Sequence, residues 1–332
     1  MDRLHDGEDG SVARWNEGHT RRGVLASLAL AAALLTGSPT LSQDVKAPPD
    51  VTAKSVFVMN ADTGKVLYEK NPDEVFRILS LTKLVTAYIL VDQMGDRLAE
   101  TVTINWPHLA GGSSAELKRR DVWSLQDLLY GMILVSGNDA SLAIADAVGR
   151  DLLAKEGKRG DTPEATKRFV EEMRATAKAL GATRADFADP YGLSAKNAAT
   201  ARDMGLIAAR IFTDERLLPA WACTERNVDI VGKKPRTVSL KTSLEILGEG
   251  GVIGAKTGSY VSKNIYNLVT AWRTPNGETI VGVVLGSRSH DARYDEMRAM
   301  IAALPRDFPS LADQNLADSS GTPRPPPAGP CQ

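Results

Sequence analysis

Three short motifs carry most of the side chains that could do chemistry. Ser80-Leu81-Thr82-Lys83 sets a hydroxyl and an amine three positions apart. If Ser80 opens a helix, Lys83 lies one turn later on the same face, and its amine can reach the serine oxygen. Serine attacks well only when a base takes its proton. Lysine is a base only when neutral, which requires burial or a second cation nearby. Alone the pair carries little weight, because about one Ser-x-x-Lys arises by chance in a chain of this length and a capped surface helix explains it.

Ser136-Gly137-Asn138 is the second motif, within Met132 to Ala140, where one apolar helical stretch ends and another begins. Side chains at such a junction can project into a cleft. A plain helix-to-helix turn uses the same residues, glycine as a stop and Asn or Asp as a cap, and both roles can hold together. Ser262-Lys263-Asn264 shows a similar pattern, but strand residues follow it at once, so it marks the start of a hairpin. The third motif is Lys256-Thr257-Gly258. The stretch Gly251 to Thr257 looks like a phosphate loop, yet Ala255 stands where a glycine is needed and strands follow instead of a helix, so nucleotide binding is not expected. A lysine on a strand edge offers a fixed positive charge, and the edge offers backbone groups to an extended peptide. The three motifs follow one another in the order Ser-x-x-Lys, Ser-x-Asn, Lys-Thr-Gly, roughly 55 and 120 residues apart. Chance explains that order poorly.

Other hydrolytic chemistries lack local support. Of four histidines, His5 and His19 precede an apolar N-terminal run, leaving His108 and His290 for the body. Neither lies near a Gly-x-Ser-x-Gly elbow, and no His-Glu-x-x-His or paired Cys-x-x-Cys occurs, so no metal or other cofactor is expected. Forty basic residues against forty-one acidic ones give no electrostatic reason to expect nucleic acid.

The elements that must position these motifs can be read coarsely. Ser55 to Met59 and Lys65 to Glu69 flank the turn Asn60-Ala-Asp-Thr-Gly64 and read as a hairpin. Helical spacing runs from Ser80 to about Gln93, and Ser124 with Asp127 forms a capping pattern ahead of Leu128 to Leu134. Further helices are expected near 139–149, 164–180 and 200–213. Asn264 to Arg273 and Glu278 to Gly286 are strands joined by Thr274-Pro275-Asn276-Gly277, and a last helix runs from Asp291 to Ala303. A helical middle bracketed by antiparallel strands implies an α+β fold whose two ends share one sheet.

With the motifs in this order, the chain resembles the low-molecular-mass penicillin-binding proteins, specifically the D-alanyl-D-alanine carboxypeptidases with the β-lactamase/transpeptidase-like fold, an antiparallel sheet with a helical subdomain. The resemblance runs over about Val51 to Ala303 and includes Asp62 to Asn71, Ser136 to Ala140 and Asp189-Pro-Tyr-Gly-Leu193. It implies a peptidoglycan stem peptide ending in D-Ala-D-Ala as substrate and β-lactams as covalent inhibitors. By similarity, Ser80 attacks the carbonyl between the two D-alanines and Lys83 removes its proton. Ser136 and Asn138 relay protons and hold the peptide, and Lys256 supplies charge. Thr257, within Lys-Thr-Gly258, contacts substrate, the Ser80 and Ser259 N–H groups form the oxyanion hole, and Arg293 receives the terminal carboxylate. The chain departs from the family pattern at Ile78-Leu79, where Pro-Ala is usual, and at Ser259-Tyr260 after Lys-Thr-Gly.

Two enzyme alternatives remain: an endopeptidase on wall cross-links and a class A β-lactamase. The Glu-x-x-Leu-Asn segment that carries a deacylating glutamate is absent from Asp139 to Lys256, which predicts slow β-lactam turnover. A wall-binding module with a spent site would have lost a catalytic residue, and none is lost. At the N-terminus, Arg21-Arg22 precedes an apolar run of about 14 residues ending near Gly37, short of the roughly 18–20 that a comfortable span needs. Residues 1–42 therefore read as a twin-arginine-like export signal, cleaved before Gln43 or kept as an anchor, which sends the protein to the periplasm or cell envelope. The catalytic domain is expected over 51–309, followed by a Pro-rich disordered tail at 310–332. Membrane attachment would come from the N-terminus. Cys223 and Cys331 are the only cysteines, and the tail's composition argues against a bridge between them.

Overall fold

The computed structural model describes residues 51–303 and 329–331. The export segment and most of the expected tail lie outside the described residues. In chain order the elements are β1 (Ser55–Asn60), β2 (Val66–Lys70), β3 (Val75–Arg77), α1 (Lys83–Met94), β4 (Thr101–Thr103), β5 (Asp121–Ser124), α2 (Leu125–Leu134), α3 (Asn138–Lys155) and α4 (Thr162–Ala179). There follow β6 (Ala198–Thr200), α5 (Ala201–Phe212), α6 (Leu218–Ala222), β7 (Cys223–Gly232), β8 (Arg236–Lys241), β9 (Val252–Tyr260), β10 (Ile265–Arg273), β11 (Thr279–Ser287), α7 (His290–Ala303) and β12 (Gly329–Pro330).

The main sheet has the order β2-β1-β11-β10-β9 and is antiparallel throughout. The first strand of the body pairs with the last long one, as the expected sharing of one sheet by both ends requires. Side chains alternate across its pleat. Phe57, Met59, Val269, Ala271, Val281 and Val283 join the core of the helical half. Val56, Val58, Leu268, Ile280 and Val284 pack with Tyr294, Met297 and Met300 of α7 on the other face. Both faces are covered, so β1, β10 and β11 are buried almost end to end.

Helix α1 is apolar nearly all round, with Leu84, Ala87, Ile89, Leu90 and Val91 each at most 1% exposed. A helix set in the core in this way is a rigid mount for whatever stands at its N-terminus. The expected cap of α2 is present: the Asp127 N–H donates to Ser124 Oγ at 3.0 Å, and Ser124 Oγ donates to Asp127 at 2.6 Å.

A second sheet joins β4, β5, β7 and β12, with β8 paired to β7. It overturns one expectation. Cys223 and Cys331 form a disulfide, with Cα atoms 5.5 Å apart. Composition pointed to a tail without ordered backbone, but β12 runs parallel to the start of β7, and the Cys331 N–H donates to the Glu225 carbonyl at 2.9 Å. That pairing supplies the backbone order a bridge needs. Closing a loop of this size restricts the unfolded chain by about 4–5 kcal/mol in the chain-entropy model.

Candidate active site

Ser80 does not open α1 directly. It sits in a tight 3₁₀ turn, Leu79–Thr82, that runs into the helix. With three residues per turn, positions i and i+3 eclipse, so Lys83 comes to lie over Ser80. Lys83 Nζ is 3.2 Å from Ser80 Oγ, 2.8 Å from Asn138 Oδ1 and 2.8 Å from the Tyr191 carbonyl. Asn138 is fixed in this sense because its Nδ2 donates to the Gly111 carbonyl at 2.7 Å. Lys83 is fully buried and touches no carboxylate among the described residues. Burial, then the field of Lys256, holds its pKa well below the ordinary 10.5, against a weaker opposing pull from Asp189 and Asp139.

Lys256 stands on β9, the edge strand of the main sheet, 2% exposed. Its Nζ donates to Ser136 Oγ at 3.0 Å and to the Thr257 carbonyl at 3.1 Å. Burial and the nearby Arg293 guanidinium lower its pKa to about 7. Further along β9, Ser259 accepts a hydrogen bond at 2.6 Å from Arg293, which rises from α7 and is 3% exposed. The Arg293 side chain lies over the Tyr294 ring at 4.9 Å, and its Nε is buried without a hydrogen-bond partner among the described residues. The structure thus groups Ser80, Lys83 and Asn138, groups Ser136 with Lys256, and sets Ser259 with Arg293 farther along the strand that carries Lys256, Thr257 and Gly258.

Close backbone packing joins the strand to the serine turn. A Cβ at Gly258 would come 2.6 Å from the Ile78 carbonyl oxygen, and one at Gly192 (φ +98°) 2.0 Å from that of Leu79. Only glycine fits at either position. Leu79 and Ser136, each beside or within a motif, take φ of +55° and +56°. Strain of this kind persists only where the surroundings enforce it. Ile78 and Leu79, the departures from the family's Pro-Ala, are both buried, so their bulk is absorbed in packing.

Sequence motifs missed three supports. The Tyr191 carbonyl is a backbone acceptor, and no residue type advertises it. Asp189 holds its loop by accepting from the N–H groups of Tyr191, Gly192 and Ser194. The Asp-Pro-x-Gly turn pattern was the available clue. Asp139 accepts from Ser114 Oγ at 2.6 Å, Ala115 N at 2.9 Å and Leu117 N at 3.2 Å, and so fixes the loop that brings Gly111 to Asn138. Neither histidine competes for Ser80. His108 is buried against Asp146 at 3.0 Å, and His290 begins α7 beside Asp291.

The family model for D-alanyl-D-alanine carboxypeptidase matches residues 42–289. The chain belongs to this family. Among curated family members, it is 31% identical over 270 residues to the D-alanyl-D-alanine carboxypeptidase DacC of Escherichia coli, covering 78% of this chain and 62% of that protein. It is 32% identical over 284 residues to the D-alanyl-D-alanine carboxypeptidase of Streptomyces sp. (strain K15), covering 82% and 93%. The crystal structure of the Streptomyces K15 DD-transpeptidase superposes with a TM-score of 0.69 at 29% identity, over 77% of this chain and 97% of that one. The β-lactamase/transpeptidase-like fold follows from this likeness. The chain spans about three fifths of the length of the first relatives it matches.

Proposed function

We propose that the protein is a serine-type D-alanyl-D-alanine carboxypeptidase of the cell envelope, acting on peptidoglycan stem peptides through a Ser80 acyl-enzyme. The observation that carries this is the hydrogen-bond count at Lys83. A neutral amine has two N–H donors and one lone pair. Asn138 Oδ1 and the Tyr191 carbonyl accept two N–H groups from Lys83, and Ser80 Oγ lies at 3.2 Å in the third direction, where the ammonium donates its third N–H and the neutral amine would turn its lone pair to the Ser80 hydroxyl. Burial and the field of Lys256 lower the Lys83 pKa and so favour the neutral amine, the form that takes the Ser80 proton as Oγ attacks the carbonyl between the two D-alanines.

The tetrahedral oxyanion is stabilised by the Ser80 and Ser259 N–H groups. Collapse breaks the peptide bond, releases D-alanine with its amine protonated through the Lys83, Ser136 and Lys256 groups, and leaves an ester on Ser80. Water then hydrolyses the ester. Asn138 and Thr257 hold the peptide against the edge of β9 as an added strand. Arg293, with donors to spare and no carboxylate within ion-pair distance among the described residues, receives the terminal carboxylate. A free carboxylate belongs to a chain end, which favours carboxypeptidase over endopeptidase action. Relatives include a protein named D-alanyl-D-alanine endopeptidase from Pseudomonas aeruginosa, 30% identical over 207 residues, so cross-links are the second substrate class to assay.

β-Lactams acylate the same serine, and without the Glu-x-x-Leu-Asn glutamate that hydrolyses such adducts in class A β-lactamases the adduct persists. The test is release of free D-alanine from a peptide ending in D-Ala-D-Ala by the mature protein and by Ser80→Ala. Release by wild type alone is expected. Release by both, or by neither, overturns the assignment, and rapid nitrocefin turnover would show a β-lactamase.

A further inference from the structure

Away from the active site, the loop before β5 and the β7–β8 hairpin enclose a cleft of about 310 Å³. Six cations line it, in the runs Lys118–Arg120 and Lys233–Arg236, with a single carboxylate, Asp121. That carboxylate is already neutralised: it is buried, and Arg236 binds it at 2.8 and 2.9 Å. The Lys118, Arg120, Lys233 and Lys234 side chains are exposed, and none has an ion-pair partner among the described residues. In a chain with forty basic and forty-one acidic residues, such a local excess makes a strong positive field. Beside it stands Trp106, 68% exposed, with the Arg119 guanidinium 5.5 Å from its ring centroid. An exposed aromatic face next to unpaired cations suits a ligand with apolar sugar faces and repeated anions.

The cleft is also tied to the catalytic loop. The Asn138 N–H donates to the Ser113 carbonyl at 2.8 Å, and Asp139 binds the Ala115 and Leu117 N–H groups. Lys118, the first cation, is the next residue. A polymer lying along this loop would reach both places.

We infer that the cleft is a secondary binding site for the glycan strand of polymeric peptidoglycan, its cations meeting carboxylates of neighbouring stem peptides while Trp106 stacks on a sugar. This rests on the carboxypeptidase assignment, and its test separates the two. D-Alanine release is measured on a soluble acyl-tripeptide and on purified sacculi, for wild type and for K118S/K233S/K234S with and without Trp106→Ala, at 50 and 500 mM salt. Turnover of the soluble peptide, which carries no glycan strand, stays within twofold of wild type and certifies the fold. On sacculi at 50 mM salt, KM rises about tenfold in the triple variant, and the gap closes at 500 mM as the charges are screened. A wild-type KM on sacculi for the variant at low salt overturns the inference. So does a loss of binding to phosphatidylglycerol vesicles with sacculus binding unchanged, which would make the cleft a membrane contact. Failure of wild type to cleave the soluble peptide counts against the enzymatic assignment alone, because cosedimentation with sacculi still tests the cleft.

Discussion

Helix α3 carries two buried clusters of titratable groups that are built on opposite rules. At its N-terminus, Asn138 accepts from Lys83, and Ser136 just before the helix accepts from Lys256, two buried amines with no carboxylate in contact among the described residues. Two turns on, Asp146 meets His108 at 3.0 Å and Arg150 at 3.0 Å. Burial raises the Asp146 pKa, but hydrogen bonds from His108 and Arg150 outweigh it and hold the carboxyl below its ordinary value. The paired cluster keeps its protons in place. The unpaired one lowers the cost of losing a proton, which a catalytic base requires. The proposed chemistry uses the unpaired arrangement, and the paired one is ordinary structural charge.

The largest test replaces the base. Lys83→Met keeps the bulk and removes the lone pair, so acylation of Ser80, followed by covalent labelling with a fluorescent penicillin, should slow by at least about 10³-fold while the fold persists. Near-normal labelling would make the unpaired cluster structural and dissolve the contrast. Next is the pH profile. Activity should rise with pH as Lys83 loses its proton. Lys256→Gln removes a cation whose field lowers the Lys83 pKa, so that pKa rises and the acid limb of kcat/KM moves to higher pH. The variant then loses more activity at pH 6 than at pH 9. An acid limb that stays put would show that burial alone sets the Lys83 pKa.

How much of this contrast could be read beforehand depends on whether residue type carries the information. Ser80, Lys83, Ser136, Asn138 and Lys256 were visible because their chemistry is in their side chains and their order is unusual. The sheet joining β1 to β11 followed from strand runs flanking turns at both ends of the body. The 3₁₀ turn at Ser80, the left-handed Leu79 and Ser136, and the Tyr191 carbonyl were hidden, because backbone conformation at non-glycine residues leaves no compositional mark. The Cys223–Cys331 bridge was hidden for a related reason: proline-rich composition reports the absence of core, while a two-residue strand needs only a partner edge. His108–Asp146 could not be paired either, since 38 residues separate them, with β5, α2 and the first two turns of α3 in between.

On the paired side, His108→Gln removes one partner of a buried carboxylate and should destabilise the protein by about 2–3 kcal/mol, read from denaturant unfolding. Its kcat/KM per folded molecule should stay within a few-fold of wild type. A large loss of turnover in folded protein would tie the paired cluster to catalysis and weaken the distinction.

The smallest effect comes from the sign of the linkage. Lys256 has a pKa of about 7 in the folded chain and 10.5 ordinarily, so the unfolded chain binds its proton more readily. Stability therefore rises with pH between those values, and the lysine is a net burden throughout that window and below it. Asp146 works the other way: its contribution is full above the ordinary carboxylate value of 3.8 and fades as pH falls through the lower folded value. Lys256→Met should then raise Tm by a few degrees at pH 6 and by less near pH 10, at the expense of activity. If it lowers Tm at pH 6, the bond from Lys256 to Ser136 outweighs the cost of burying the charge, and the amine belongs with the structural pairs.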